Sequence, residues 1–129
     1  MGNFSDGMSD RFMVFVICII KIEKQLCKSY SGRHIYGQLF RAGTSGGTNY
    51  EEARAGESRA DFIHKMQITL KELREALFWI KLIAAAKLIA SENEVLNFLV
   101  KESKELACIT AKSIVTAKSK NEKIPPKHD

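Results

Sequence analysis

Apolar residues recur at intervals of three and four along most of the chain, and no stretch alternates between apolar and polar residues as a half-buried strand does. This spacing predicts four helices, over about 9–29, 35–56, 59–87 and 92–118. The pattern is clearest from Phe62 to Ile83. Because 129 residues suffice for one domain with its own core, we predict an all-α fold with a single domain over residues 1–119.

Short polar motifs mark the expected ends of these helices. Ser58-Arg59-Ala60-Asp61 has the spacing of a capping box, and Ser91-Glu92-Asn93-Glu94 has a similar signature before the last segment. Ser31-Gly32 indicates a turn between the first two segments. Residues 120–129 are polar, rich in lysine and interrupted by Pro125-Pro126, so they have too little apolar surface to become ordered. We predict a disordered basic tail there.

The longest apolar run, Phe12–Ile20, has nine residues, whereas a helix that crosses a bilayer needs about 20. We interpret it as a buried helix face.

Cys18, Cys27 and Cys108 form no C-x-x-C pair and no grouping with histidines, so neither a disulfide framework nor a zinc site is indicated. We therefore predict a cytoplasmic protein that has no cofactor and does not associate with a membrane.

One acidic residue lies three positions before a histidine, as in metal-binding four-helix bundles, which combine inward-facing Glu residues with two Glu-x-x-His pairs. The nearest match is Asp61-Phe62-Ile63-His64, and the sequence holds no second such pair. His64 flanks the apolar stripe of its segment. We interpret it as a partly exposed structural histidine and predict no metal site.

Gly43-Thr44-Ser45-Gly46-Gly47 spells G-x-S-x-G, the pattern of a hydrolase nucleophile elbow. An elbow needs a strand before the serine and His and Asp partners from a parallel sheet, and neither is predicted here. Gly47 is also not followed by the Lys-Ser or Lys-Thr of a phosphate-binding loop. We therefore favour a non-catalytic interpretation and predict no catalytic residue.

The same small residues predict a close crossing between helices. Three glycines inside a helix cost about 3 kcal/mol relative to alanine, so a packing contact must offset them. Small side chains let two helix axes approach more closely than the usual separation of about 8–10 Å. We predict a tight crossing at Ala42–Gly47, with Thr44 and Asn49 making polar contacts across it, and favour a continuous helix through Gly46-Gly47 over a break.

Two charged clusters and one aromatic pair have helical spacing. Neighbouring helix residues point about 100° apart, which favours a salt-bridged interface face over paired general acids for Glu51, Glu52, Arg54 and Glu57. The cluster Lys71–Glu75 predicts a solvated or intersubunit surface. Because Phe78 and Trp79 cannot both face one core, they are our candidates for an oligomer interface.

The stretch Gly37–Ile83 resembles the small four-helix-bundle proteins that include the protein encoded in intervening sequences of large-subunit ribosomal RNA genes. The family pattern looks like Q-L-x-R-x-G/A-x-S-x-x-x-N-x-x-E-A, then S-x-x-D/E-F, then a K-E-x-x-E-x-x-x-W-like run. The matching residues are Gln38, Leu39, Arg41, Ser45, Asn49, Glu52, Ala53, Ser58, Phe62, Lys71, Glu72, Glu75 and Trp79.

The resemblance implies an up-and-down antiparallel four-helix bundle that assembles as a homopentamer with a basic surface, in a family whose cellular role is largely unassigned. A related bundle, the accessory variability protein of diversity-generating retroelements, is similar in fold and is associated with RNA and a reverse transcriptase. The resemblance therefore adds weight to a nucleic-acid partner.

The net charge of +5 permits such a partner, and residues 101–129 contribute +3 of it. We predict a non-enzymatic homo-oligomer that binds structured RNA, or DNA, through a basic surface. The alternative is a multivalent protein–protein adaptor, for which basic residues would be scattered or paired with acids and an apolar groove would be the best-formed feature. The candidate nucleic-acid-binding residues are Arg33, Arg41, Arg54, Arg59, Lys112, Lys118 and Lys120.

Overall fold

The computed structural model describes the backbone of residues 7–123 and the side chains of residues 7–120. Its helices are α1 (Gly7–Lys21), α2 (Glu23–Leu26), α3 (Tyr30–Arg54), α4 (Arg59–Ala85) and α5 (Glu94–Lys123). Within this range there is no strand, and the predicted all-α class is confirmed. None of these helices is long and apolar enough to cross a membrane.

The first predicted helix is two helices in the structure, and the second begins earlier than predicted. Ser29 is the N-cap of α3, and its hydroxyl accepts a hydrogen bond from the Gly32 amide at 3.0 Å. A Cβ at Gly32 would lie 1.9 Å from the carbonyl oxygen of Leu26. Ser31-Gly32 therefore belongs to the first turn of α3 and is not a turn between helices, because glycine lets α3 start directly against the end of α2.

Helix α3 is continuous through Gly46-Gly47, and its small residues allow two neighbours to approach. A Cβ at Gly43 would lie 2.6 Å from Ile19 Cδ1 of α1, and one at Gly46 would contact both Phe12 of α1 and Glu72 of α4. The predicted tight crossing is therefore confirmed, and it involves three helices. Contacts with both neighbours offset the low helix propensity of the glycines.

Capping groups fix the ends of the last two long helices. Ser58 accepts a hydrogen bond from the Asp61 amide at 3.1 Å, so the predicted cap is present. Helix α4 ends at Ala85, and Lys87 takes the left-handed conformation (φ 57°) that helix ends usually give to glycine. At the start of α5 the capping side chain is Asn93, whose Oδ1 accepts from the Leu96 amide at 2.9 Å.

The predicted disordered tail, residues 120–129, is wrong in its first part. Helix α5 continues to Lys123, because residues 120–123 add backbone hydrogen bonds to a helix whose buried face extends to Ala117. Residues 124–129, including Pro125-Pro126, lie outside the described residues.

The four long helices pack around one core in the order α1, α3, α4, α5, and α5 also packs on α1. Successive contacts along α1 and α3, along α3 and α4, and along α1–α2 and α5 run in opposite sequence order, so these helices are antiparallel. The pairs that show this are Phe12–Tyr50, Ile19–Gly43, Lys65–Glu52, Arg41–Glu75, Arg11–Glu102 and Gln25–Asn93. The core holds Phe15, Leu39, Leu73, Ile80 and Leu99 among others.

Substitution at the crossing should be costly. We expect Gly43→Leu to lower the free energy of unfolding by about 1–3 kcal/mol or more, because the new side chain would displace Ile19 and overpack the core. The matched control is Gly37→Leu, where a Cβ meets no atom within 4 Å and the gain in helix propensity should raise stability by up to about 1 kcal/mol. Urea unfolding followed by circular dichroism measures both; equal stability of the two variants would contradict the prediction.

Candidate nucleic-acid interface

Ser45 lies in the middle of α3 and takes part in a polar network between α3 and α4. Its hydroxyl donates to Glu72 Oε2 at 3.2 Å and accepts from Asn49 Nδ2 at 3.2 Å. Glu72 is buried, with 7% of its surface exposed, although the spacing of Lys71–Glu75 predicted a solvated or intersubunit surface. That prediction is wrong for Glu72. Gly46 has no side chain, so α4 packs closely against α3 at this point and the side chain of Glu72 is covered.

Arg41 connects Glu72 with Glu75 and Trp79. Its guanidinium lies 3.3 Å from Glu72 Oε1 and 2.5 Å from Glu75 Oε2. The Trp79 indole also donates to Glu75 Oε2, at 3.0 Å. The hydrogen bonds from Arg41 and Trp79 hold the pKa of Glu75 below its usual value.

The network therefore consists of residues that carried the family resemblance, and its geometry is that of a clamp between two helices. Ser45 and Arg41 of α3 contact carboxylates of α4. Thr69 of α4 donates a hydrogen bond to the Gly46 carbonyl of α3 at 3.3 Å. Thr44 and Asn49, predicted to make polar contacts across the crossing, instead bond within α3. Their side chains reach carbonyl oxygens three or four residues earlier, as helical Thr and Asn often do.

Two of the candidate nucleic-acid-binding arginines are paired with carboxylates. Arg41 belongs to the clamp, and Arg54 forms an ion pair with Glu51 at 3.0 Å and a hydrogen bond with Ser9 at 2.8 Å. The salt-bridged face predicted for Glu51–Glu57 is present, because Lys65 also pairs with Glu52. Arg33 is exposed in the first turn of α3, at the opposite end of the bundle from the end of α5.

Three other candidates converge at the end of the bundle where α4 begins and α5 approaches its end. Arg59, Lys112 and Lys120 line one cleft of about 650 Å³ between these helices. Its remaining lining residues are Gly56, Glu57, Ser58, Phe62, Ile109, Ser113, Thr116 and Ala117. Lys118 is exposed on the same part of α5 and does not line the cleft. The cleft thus combines cationic, hydroxyl and apolar groups.

Arg59 and the two lysines bring positive charge to this cleft. Arg59 Nη1 is buried and has no hydrogen-bond partner within the described part of the chain. Lys112 and Lys120 are exposed, and neither forms an ion pair with a carboxylate described in the structure. Cations that line one cleft and form no ion pair with a described carboxylate favour an anion there.

A second surface, which we call the α1 apolar face, consists of Met13, Val14, Ile17 and Ile20. Each of these side chains is at least 43% exposed, although Phe12–Ile20 was interpreted as a buried face. Only Phe12, Phe15 and Ile19 of this run are buried. The prediction is confirmed for the side of α1 that carries these three residues and is wrong for the opposite side, because α1 packs on α3 and α5 with one face only.

A shallow groove beside this face is formed by α1 and α3, and its apolar walls include Met13, Val16, Thr44 and Gly47.

Phe78 is exposed elsewhere, on α4, with 58% of its surface accessible. Trp79 is half-buried against the core, and its ring meets Phe78 edge to face at 5.1 Å. Of the two predicted interface aromatics, Phe78 has the more accessible side chain.

Among the described residues, no group of three or more His, Cys, Asp and Glu side chains is arranged to hold a metal ion. His64 is exposed on α4. Cys18 and Cys27 are half-buried free thiols, and Cys108 is an exposed one. Burial raises the pKa of Cys27 above its usual value, with a further contribution from Glu23.

The family model of the 23S rRNA-intervening sequence protein matches residues 8–113. The chain belongs to this family. It is also similar to the crystal structure of a protein of unknown function from the S23 ribosomal protein family of Bacteroides thetaiotaomicron, with 31% identity and a TM-score of 0.74 over 83% of this chain and 97% of that one. No curated protein is significantly similar to it. Membership of the 23S rRNA-intervening sequence protein family confirms the resemblance carried by Gly37–Ile83.

Acid should open the clamp at Glu75. Since the pKa of Glu75 is lowered in the folded protein, its contribution to stability is present at neutral pH and is lost as the pH falls through that lowered value. Trp79 is the only tryptophan and bonds to Glu75, so its fluorescence reports this step. We expect the emission to change below the ordinary glutamate pKa of about 4.3.

The matched variant is Glu75→Gln, which keeps an acceptor for Trp79 and removes the titrating group. Its emission should lack the acid transition, while circular dichroism shows whether helix content is unchanged over the same pH range. A transition that persists in Glu75→Gln, or a wild-type midpoint above about 4.3, would contradict the assignment.

Proposed function

We propose that this protein is a non-enzymatic homo-oligomer that binds nucleic acid, structured RNA first, through phosphate contacts. The observation that carries the proposal is the convergence of Arg59, Lys112 and Lys120 on one cleft, with Lys118 exposed nearby. Exposed cations at one end of a molecule attract a polyanion and orient its approach. A cytoplasmic location accords with free thiols and with such a partner.

Charge is expected to dominate the binding. The sequence contains no aromatic-basic motif of an RNA-recognition module and no zinc module that would read base edges. Contacts to phosphates position a protein on nucleic acid and carry no sequence information directly. We therefore propose binding with little sequence preference.

A non-enzymatic role is supported by the surroundings of Ser45. Helical residues lie on both sides of it, and its hydroxyl bonds to Glu72 and Asn49. A serine nucleophile needs a base that is itself oriented by a third group and an oxyanion hole that faces a substrate. In this network Glu72 is engaged by Arg41, which suits a structural role.

Oligomerisation is supported by the α1 apolar face and by exposed Phe78. Contiguous exposed apolar patches on soluble proteins mark interaction sites, since leaving them in water is unfavourable. A homopentamer is the assembly that the family resemblance implies. Assembly would multiply the basic clefts, so that weak contacts of single subunits add up on one nucleic acid.

The adaptor alternative rests on a specific observation too. The groove between α1 and α3 is almost wholly apolar and suits the apolar face of a partner helix. Arg41 and Arg54 are paired with acids, as this alternative expects. The cleft cations favour nucleic acid, and binding experiments separate the two functions.

We expect binding to RNA and DNA to weaken steeply as salt is added. Each phosphate contact should contribute a slope of about 0.9 log units in affinity per log unit of salt on duplex DNA and about 0.7 on single strands. Filter binding with Lys112, Lys118 and Lys120 all replaced by Glu should show weaker binding to every sequence and a shallower slope.

The matched control replaces Lys21, Lys24 and Lys28 by Glu, which makes the same change in net charge at the other end of the bundle. This control should retain most of the affinity. If the wild-type protein binds neither RNA nor DNA at low salt, or if both triple variants behave alike, the adaptor function becomes the better proposal.

The oligomer can be tested by light scattering. We expect the wild-type protein to have a mass that is a multiple of 14.5 kDa, and Ile17→Glu or Phe78→Glu to reduce it, because a buried charge without a partner destabilises an apolar interface. Val115→Glu is the control, since Val115 is an exposed apolar residue on a different helix, α5. A wild-type mass of 14.5 kDa at micromolar concentrations would rule out the oligomer.

A further inference from the structure

The cleft between α4 and α5 is more specific than a basic patch. Arg59 occupies the first position of α4, and its Nη1 is withdrawn from solvent without a described partner. An anion in the cleft reaches Nη1 only if the guanidinium turns, whereas the exposed Lys112 and Lys120 are available to it directly. The three cations that line the cleft therefore point to a ligand that carries an oxyanion.

Helix α5 supplies the opposite wall. Lys112, Thr116 and Lys120 are spaced by four residues, so they share one face of the helix and project into the same cleft. Ser113 adds a second hydroxyl. Glu57 is the acidic lining residue, and it is exposed in the α3–α4 connection, so the lining keeps an excess of positive charge.

The size and the apolar part of the lining exceed what a phosphate alone needs. Pockets that enclose small organic ligands have volumes of about 300–1,000 Å³, and this cleft has about 650 Å³. Phe62, Ile109 and Ala117 give it an apolar wall beside the cations. An aromatic ring next to cationic groups is the arrangement on which nucleic-acid bases stack while their phosphates are held.

We propose that this cleft binds one nucleotide of an unpaired nucleic-acid strand, with its phosphate against Arg59, Lys112 and Lys120 and its base against Phe62. The inference rests on the proposed nucleic-acid function and names the part of the partner that the cleft recognises. A paired base is covered by its stacked neighbours and cannot enter, so the cleft selects loops, bulges and strand ends.

Fluorescence anisotropy with a labelled ten-nucleotide oligouridine and with a duplex RNA of equal length tests the proposal. Arg59→Gln should weaken oligouridine binding by about tenfold or more, because charge-assisted hydrogen bonds are lost. Arg74→Gln is the matched control on α4, since Arg74 is exposed outside the cleft. Lys112→Gln is paired in the same way with Lys104→Gln on α5.

Phe62→Leu tests the stacking contact. Loss of one stacked base should weaken oligouridine binding by about fivefold to a hundredfold and change duplex binding much less. Because Phe62 also packs against the core, thermal unfolding must show that the variant is folded at the assay temperature. Uridine monophosphate should compete with the oligonucleotide better than uridine or inorganic phosphate does alone.

The outcomes separate this inference from the proposed function. If oligouridine binds but Arg59→Gln and Arg74→Gln behave alike, or if the wild-type protein prefers duplex RNA, the nucleotide cleft is wrong and the general function stands. If uridine monophosphate binds by way of Arg59 and no RNA or DNA does, the cleft binds a free nucleotide, and both strand binding by the cleft and the nucleic-acid function are wrong. If none of these ligands binds, both the nucleotide cleft and the nucleic-acid function are wrong.

Discussion

The close approach of α1 and α4 to the small-residue face of α3 is the contact on which the rest of the bundle depends. Gly43 leaves room for Ile19, and Gly46 lies between Phe12 and Glu72. Larger side chains here would separate the helices and reduce the dispersion contacts of a close-packed core. The glycines thus weaken α3 locally and strengthen its packing with two neighbours.

That approach also explains the buried charge of Glu72. A carboxylate withdrawn from water is tolerated only when charged and hydrogen-bonding partners surround it, and Arg41 and Ser45 provide them. A comparable clamp joins α1 to α5, where Arg11 donates to buried Glu102 through Nε and Nη2 at 2.8 and 2.7 Å. Such directional pairs specify how helices are placed relative to one another, which apolar contacts alone do less well.

The surfaces that suit partners are separate from these clamps. The cleft of Arg59, Lys112 and Lys120 lies at one end of the bundle, and the α1 apolar face lies along its side. The clamp carboxylates Glu72 and Glu102 are paired within the chain, whereas the cleft lysines form no ion pair with a described carboxylate and the α1 apolar face is exposed. Self-assembly through one surface and phosphate binding through the other are therefore compatible.

The sequence by itself determined the helices and the small-residue crossing, because helical period, capping residues and glycine act over a few neighbouring positions. The predicted segment 59–87 matches α4 (Arg59–Ala85) closely, whereas the segment 35–56 missed the early start of α3 at Tyr30. Only the tertiary structure decided that Glu72 is buried, that Ile17 is exposed, and that Arg59 lines one cleft with Lys112 while Arg41 pairs with Glu75. Those outcomes depend on how helices distant in sequence are rotated against each other, and a spacing of three and four within one helix carries no information about that rotation.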